Sequence, residues 1–279
     1  MIEVENLNFY YSRKQMVYNN LNLIIGEGTV AALLGMNGAG KTTLLNLIAG
    51  FLIPKGGNCK VQKYESSKRA PEMLQDLFMV SDISEFPSTT VDKFCRMYSD
   101  FYPKFDDKLF QHCLTEFSLS PEQSLKRISH GEKRKVMLSF ALATRCKVLL
   151  FDEPTNGLDI PSKASFRKLI ASSTDENQTI LLATHQVRDL ANIVDRVIIE
   201  HHGEIVLNET TDRISEKLLF CTQADQFNPE DLIFSQKGIV SNEFVAVNRN
   251  GHSGILDIEL LFNAAVSNPI ELSSVFNAN

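Results

Sequence analysis

The sequence predicts an α/β fold. A mostly parallel central sheet is expected, with an antiparallel β subdomain, a helical insertion and a small C-terminal α+β appendage. Three observations lead there. TVAALLG (29–35), KVLLF (147–151) and TILLAT (179–184) are short, continuous apolar runs bounded by glycine or polar residues, the pattern of strands buried on both faces. Segments of helical period alternate with them, as in KTTLLNLIAGFL, where apolar residues stand at 44, 45, 47, 48 and 52. The first of these strands enters its helix through a glycine-rich turn, and strand–turn–helix order is the repeating unit of a parallel sheet.

Along the chain, residues 2–9 alternate loosely and Leu21–Ile25 is strand-like, with Gly26-Glu27-Gly28 turning the chain into TVAALL. Between about 84 and 145 strands are absent, Phe and Met are common and the period is helical, which predicts a helical insertion. VIIE followed by HHGEIVLNE (197–209) predicts a hairpin turning near Gly203. Beyond 210 the α/β signal fades. LLFCTQ, LIFSQ and EFVAVNR predict short strands in an appendage, so the expected division is 1–210 and 211–279.

The 279 residues carry 43% hydrophobic and 22% charged side chains, enough to bury a sizeable core. The net charge of −6 disfavours a ligand held by a general basic field, and no nucleic-acid partner is expected. Five cysteines stand singly, without CxxC pairing, as reduced and largely core thiols do. The N-terminal MIEVENLNFYY has acids and no apolar run, so it does not resemble a signal peptide, and no stretch is long enough for a membrane span.

Two motifs carry chemistry. Gly35-Met36-Asn37-Gly38-Ala39-Gly40-Lys41-Thr42 has the spacing G-x-x-x-x-G-K-[ST] between a strand and a helix. Glycines let backbone N–H groups wrap a phosphate, and the helix start adds its positive dipole end. Lys41 is expected to reach the β- and γ-phosphates and the Thr42 hydroxyl to ligate Mg²⁺, with Thr43 beside it. Asp152 and Glu153 end the strand KVLLF, at the rim where α/β sheets bind ligands. Asp152 is expected to hold Mg²⁺ through water, and Glu153 to act as general base toward an attacking water.

GMNGAGKTT, a later Ser-X-Gly turn, LLFDEPTNGLD and a strand ending in ATH resemble, in that order, the ATP-binding subunit of ABC (ATP-binding cassette) transporters over roughly residues 1–210. The resemblance implies a MgATP-hydrolysing motor, cytoplasmic and peripheral on the inner face of the cell membrane, that drives a separate permease. It implies a homodimer, or a pair with a paralogous ATPase, in which each ATP lies between the phosphate loop of one subunit and the Ser-X-Gly turn of the other. That turn is Ser129-His130-Gly131-Glu132 here, after Ile128, where the family reads LSGGQ; His130 and Glu132 depart from the pattern. Because the turn would serve the partner's nucleotide, the helix after it is expected to separate it from its own acids.

By the same resemblance Tyr11 stacks on adenine, with Tyr10 as a rival; Asp159 contacts the opposite site; and His185 hydrogen-bonds the γ-phosphate. The family has a Gln after the strand LFMV (77–80), where this chain has Ser81-Asp82, so Asp82 is the candidate extra Mg²⁺ contact. The permease is expected to dock in a groove of the helical insertion near Asp82 and Phe86. The run Lys133-Arg134-Lys135 reads as a solvated helix face. Rival readings are a soluble cassette of DNA repair or translation, which should carry coiled coils or a second cassette, and a nucleotide-dependent binding module of weak catalysis.

Overall fold

The computed structural model describes residues 1–12, 15–81, 86–186, 192–238, 241–249, 251 and 254–277. Among them a six-stranded sheet runs in the order β10 (Glu204–Thr210), β9 (Arg196–His201), β3 (Val30–Leu34), β8 (Thr179–Thr184), β7 (Val148–Asp152) and β6 (Leu77–Val80). All pairs are parallel except β10 with β9, which form the expected hairpin through His202 and Gly203. Each central strand is apolar on both sides because both sides are covered. Ala31 and Leu33 join the cluster under α1 (Lys41–Ile48), while Ala32 and Leu34 join the cluster under the helices of the other face.

The antiparallel subdomain has the order β2 (Gln15–Ile25), β1 (Ile2–Ser12), β4 (Gly56–Val61), β5 (Tyr64–Glu65). Its inward residues, among them Val4, Leu23 and Ile25, share the α1 cluster. α1 stops at Ile48, short of the apolar Leu52. Gly50 takes a left-handed φ of +76°, and a Cβ there would lie 2.3 Å from the Ser66 carbonyl oxygen, so the chain turns where only glycine fits.

The helical insertion contains α3 (Val91–Tyr98), α4 (Asp107–Glu116) and α5 (His130–Ala143), capped in turn by Thr90, Asp106 and Ser129. Phe140 on α5 gathers the rings of Phe78, Phe94, Tyr102, Phe105 and Phe110 at centroid distances of 5.0 to 6.2 Å, which explains the aromatic richness of this stretch. β6 follows the short α2 (Pro71–Gln75) and forms the sheet edge against this cluster. α6 (Ile160–Ser173) covers the same face, with Phe166 edge-on to Phe151.

Beyond 210 come α7 (Thr211–Lys217), a three-stranded sheet in the order β11 (Leu218–Cys221), β13 (Asn242–Val247), β12 (Leu232–Lys237), and two helices, α8 (Ile258–Ser267) and α9 (Pro269–Asn277). The three apolar runs form the expected strands. α8 buries Ile258, Leu261 and Ala265 in the same cluster that holds Val197 and Ile199 of β9, so one apolar core runs from the main sheet into this segment. Among the described residues no helix is long and apolar enough to cross a membrane.

Candidate functional site

Four adjacent strands, β9, β3, β8 and β7, deliver their C-terminal ends to one rim. Leu34 pairs with Thr184 and with Ile199, and Asp152 pairs with Ala183, so the residues that follow stand at one level. Sheet register, rather than sequence distance, assembles the site.

The loop from Gly35 to Gly40 follows β3. Gly38 at φ +80° and Gly40 at φ +124° hold conformations that side chains rarely adopt, and the Ala39 N–H donates to the Met36 carbonyl at 3.1 Å. Asn37 and Gly38 are exposed on the loop. Gly40 caps α1 without a side-chain acceptor, which leaves first-turn N–H groups for an anion. Lys41 is buried and its Nζ donates to the carbonyls of Gly35 at 2.7 Å and Met36 at 3.1 Å. Burial lowers the affinity of its amine for a proton, and Glu153, Glu200 and Asp152 oppose that shift.

Thr42 and Asp152, separated by 110 residues, meet: Thr42 Oγ1 donates to Asp152 Oδ2 at 2.7 Å. The other carboxylate oxygen, Oδ1, is buried and has no partner. Burial raises the Asp152 carboxyl above the usual range, a cost that a cation would relieve. A hydroxyl and one carboxylate at the foot of a phosphate loop fit Mg²⁺, which keeps waters and phosphate oxygens as its remaining ligands. Among the described residues no cluster of three or more His, Cys, Asp or Glu could form an all-protein cage. Asp82, the other candidate ligand, lies outside the described residues.

Glu153 takes a left-handed φ of +47°, a strained geometry for a side-chain-bearing residue. Its carboxylate is held by β8 and the residue after it. Thr184 Oγ1 donates to Oε2 at 2.9 Å, the His185 N–H donates to Oε1 at 3.2 Å, and His185 Nδ1 lies 2.7 Å from Oε1. With Nδ1 donating to Glu153, only Nε2 of His185 is left for a ligand.

Of the two tyrosines, Tyr11 is the one at the loop. Its hydroxyl lies 3.0 Å from Thr43 Oγ1, and its exposed ring stands edge-on to Phe9. Tyr10 instead lies beneath Lys55, 5.8 Å from its ammonium.

Ser129 and His130 are exposed, Gly131 and Glu132 half-buried, and Glu132 has a structural role that a glutamine could also fill. It closes a capping box: Ser129 Oγ accepts from the Glu132 N–H at 3.2 Å, and Glu132 Oε2 accepts from the Ser129 N–H at 2.8 Å. His130 is exposed, where a side chain costs little, whereas a Cβ on Gly131 would lie 2.8 Å from the Gly157 carbonyl oxygen. Asp159 caps α6 through Oδ1, which accepts from the Ser162 N–H at 2.8 Å.

One expectation needs correction. Arg134 is not on a solvated face: it is 2% exposed, and its Nη1 donates to the carbonyls of Asp152 at 3.2 Å and Glu153 at 3.0 Å. Through this long side chain α5 is tied to the backbone of the acidic strand end. Helical period explains the miss, since Lys133 and Lys135 point to other sides of the same turn. The other residues overlooked are Thr184, Tyr18 and Glu200. Glu200 carried a usable signal, because VIIE ends a buried strand with an acid just as LLFDE does. Tyr18 carried none.

A family model described as ABC transporter matches residues 18–156, from β2 through the acidic pair. The chain belongs to the ABC transporter family. The molybdate import ATP-binding protein MolC of Haemophilus influenzae is 28% identical over 222 residues, 78% of this chain and 86% of the relative. The lantibiotic transport ATP-binding protein SrtF of Streptococcus pyogenes is 28% identical over 76% of this chain and 92% of its own length. Among solved structures, a dimeric ATP-binding cassette in a post-hydrolysis state with ADP and Pi has the same fold, with a TM-score of 0.66 at 21% identity over 75% of this chain and 98% of its own. The cassette's fold is thus an α/β P-loop NTPase with the family's antiparallel and helical additions.

Proposed function

We propose that this chain is the motor subunit of a transporter in which the rim of β9, β3, β8 and β7 binds and hydrolyses MgATP at a dimer interface and drives a separate membrane permease. The observation that carries the reading is the meeting of Thr42 with Asp152 beside a carboxylate, Glu153, held by Thr184 and His185.

In this reading the N–H groups of the Gly35–Gly40 loop and the start of α1 receive the phosphates, and the Lys41 ammonium neutralises β- and γ-oxygens. Thr42 and Asp152 would hold Mg²⁺, which supplies charge neutralisation at the transferring phosphoryl group. Glu153 would accept the proton of the attacking water, and the bonds from Thr184 and His185 to its two oxygens fix the orientation of the carboxylate. His185 offers Nε2 toward that phosphate. Tyr11 gives the adenine an exposed ring beside Thr43. Ser129, Gly131 and the N-terminus of α5 address the nucleotide of a second subunit, with Asp159 facing the same junction.

The 211–279 segment is an accessory unit built onto the 1–210 cassette. The permease docks in a groove of ≈ 580 Å³ lined by Ala49, Phe51, Leu74, Met79, Phe101 and Tyr102, between the turn after α1 and the helical insertion, with Phe51 and Phe101 exposed on its two sides. The subunit would then sit peripherally on the inner face of a membrane.

The deciding measurement is phosphate release by the purified chain with and without Mg²⁺, beside Glu153→Gln. Hydrolysis abolished in the variant, with ATP still bound, is the expected result. Full turnover in Glu153→Gln, or no nucleotide binding by the parent chain, would remove this reading.

A further inference from the structure

Directly beneath the phosphate loop lies a buried acid that the mechanism above does not use. β9 is the parallel neighbour of β3, and the pairing of Leu34 with Ile199 sets Glu200 beside Gly35. Glu200 is fully buried. Its Oε1 accepts from the Gly203 N–H at 2.8 Å, whereas Oε2 has no partner. A Cβ on Gly35 would lie 3.0 Å from that same Oε2, so the carboxyl is packed against the first residue of the loop. At the loop's other end the Tyr18 hydroxyl is likewise buried without a partner, and a Cβ on Gly40 would lie 2.6 Å from it. The two glycines that bracket the phosphate cradle thus rest on two polar groups drawn from β9 and β2. A leucine at position 200 would pack without desolvation cost, so a carboxyl here calls for an explanation.

We propose that Glu200 is a positioning residue of the nucleotide site, a carboxyl that braces the start of the phosphate loop and takes up a proton when a polyphosphate enters it. This rests on the nucleotide reading above and adds a coupling that the reading does not contain. The charged and titratable groups around Glu200 are Lys41 from α1, Tyr18 from β2, and His201 and His202 at its own strand end. Asp152 at the end of β7 and Glu153 after it act on the same Lys41.

Burial pushes the Glu200 carboxyl up to about 7, with the Gly203 N–H and Lys41 opposing, so the group is part-ionised near neutrality. Its ionised form is favoured by the charge of Lys41. An arriving phosphate claims that ammonium and adds negative charge across the loop, so both changes favour the protonated carboxyl. Binding therefore draws a proton from solvent onto Glu200, and affinity falls as pH rises through about 7.

The test is the dissociation constant of a Mg²⁺-bound, non-hydrolysable ATP analogue at pH 6, 7 and 8 for the full chain and for Glu200→Gln. The titrations of the nucleotide and of the two histidines are common to both proteins and cancel in the ratio. With a free-state value near 7 and a bound state held protonated, the ratio of wild-type to variant dissociation constants rises roughly fivefold to tenfold from pH 6 to pH 8. Calorimetry in two buffers of different ionisation heat should show more proton uptake by the wild type at pH 7. Glu200→Met, apolar and of similar length, provides the same comparison should the glutamine variant fold poorly. A ratio constant within twofold, with equal proton uptake, overturns the proposal and leaves the nucleotide reading intact. No binding by the wild type at any pH overturns both.

Discussion

Replacing Arg134 with methionine tests whether the catalytic carboxylate is positioned through its backbone. Arg134 Nη1 bridges the carbonyls of Asp152 and Glu153, and the guanidinium is buried. Each hydrogen bond from a charged donor is worth about 1.5–3 kcal/mol, so the two bonds together represent roughly 3–6 kcal/mol. An apolar side chain of similar length recovers part of the desolvation cost of the buried charge, which leaves a net loss of about 1–3 kcal/mol. For a chain of this size that lowers the melting temperature by roughly 2–5 °C.

The effect on rate should be larger than this stability loss implies. Glu153 holds a φ of +47°, and its carbonyl is one of the two that Arg134 clamps, so the peptide is free to relax once the clamp is gone. A shift of the general base by about 1 Å costs on the order of a hundredfold in rate. Steady-state phosphate release at 25 °C, well below either melting transition, is therefore expected to fall between about tenfold and a hundredfold. The control is the double variant with Glu153→Gln, which should be no slower than Glu153→Gln alone because both changes act through one carboxylate. A kcat within threefold of wild type, or a full additional loss in the double variant, would refute the reasoning.

Three further outcomes follow from the same geometry. Glu153→Gln should lose at least about a hundredfold in kcat while accumulating an ATP-bound dimer, read by phosphate release and size-exclusion chromatography. Gly131→Ala should lower the melting temperature and weaken ATP-dependent dimerisation together, because its Cβ would lie 2.8 Å from the Gly157 carbonyl oxygen and force the α5 start away from the loop before Asp159; unchanged melting would show that the approach is easily relieved. For pH, the folded chain binds the Glu200 proton more tightly than the unfolded chain, its value rising from 4.5 to about 7. Stability relative to Glu200→Gln is therefore greatest at low pH and lost as pH climbs from about 4.5 through about 7, by about 3 kcal/mol in all, as urea unfolding at pH 5 and pH 8 would show.

Much of the site was legible because its chemistry is local. The phosphate loop needs its glycines, lysine and threonine within eight positions, and the acids follow directly on an apolar run. Tyr11 could be nominated but not separated from Tyr10, since the strand places the two rings on different sides and only the neighbours, Thr43 and Lys55, tell which side faces the loop. Arg134 was misread because a basic triplet on a helix gives no sign of which member turns inward. Glu132 departs from the family's glutamine in the motif, yet it closes the capping box with Ser129 as a glutamine could.

By itself the sequence determined the fold class, the strand–loop–helix that cradles phosphate and the identity of the acids, because short-range periodicity and backbone requirements are written in contiguous residues. Tertiary structure alone decided which of these residues meet. Thr42 and Asp152 are 110 positions apart, and Gly35 and Glu200 further still; each pair is joined only by the register of parallel strands whose crossovers pass over the faces of the sheet. A one-step change in that register would carry every strand-end group to the opposite face, so the site's geometry is a property of the sheet and its packing.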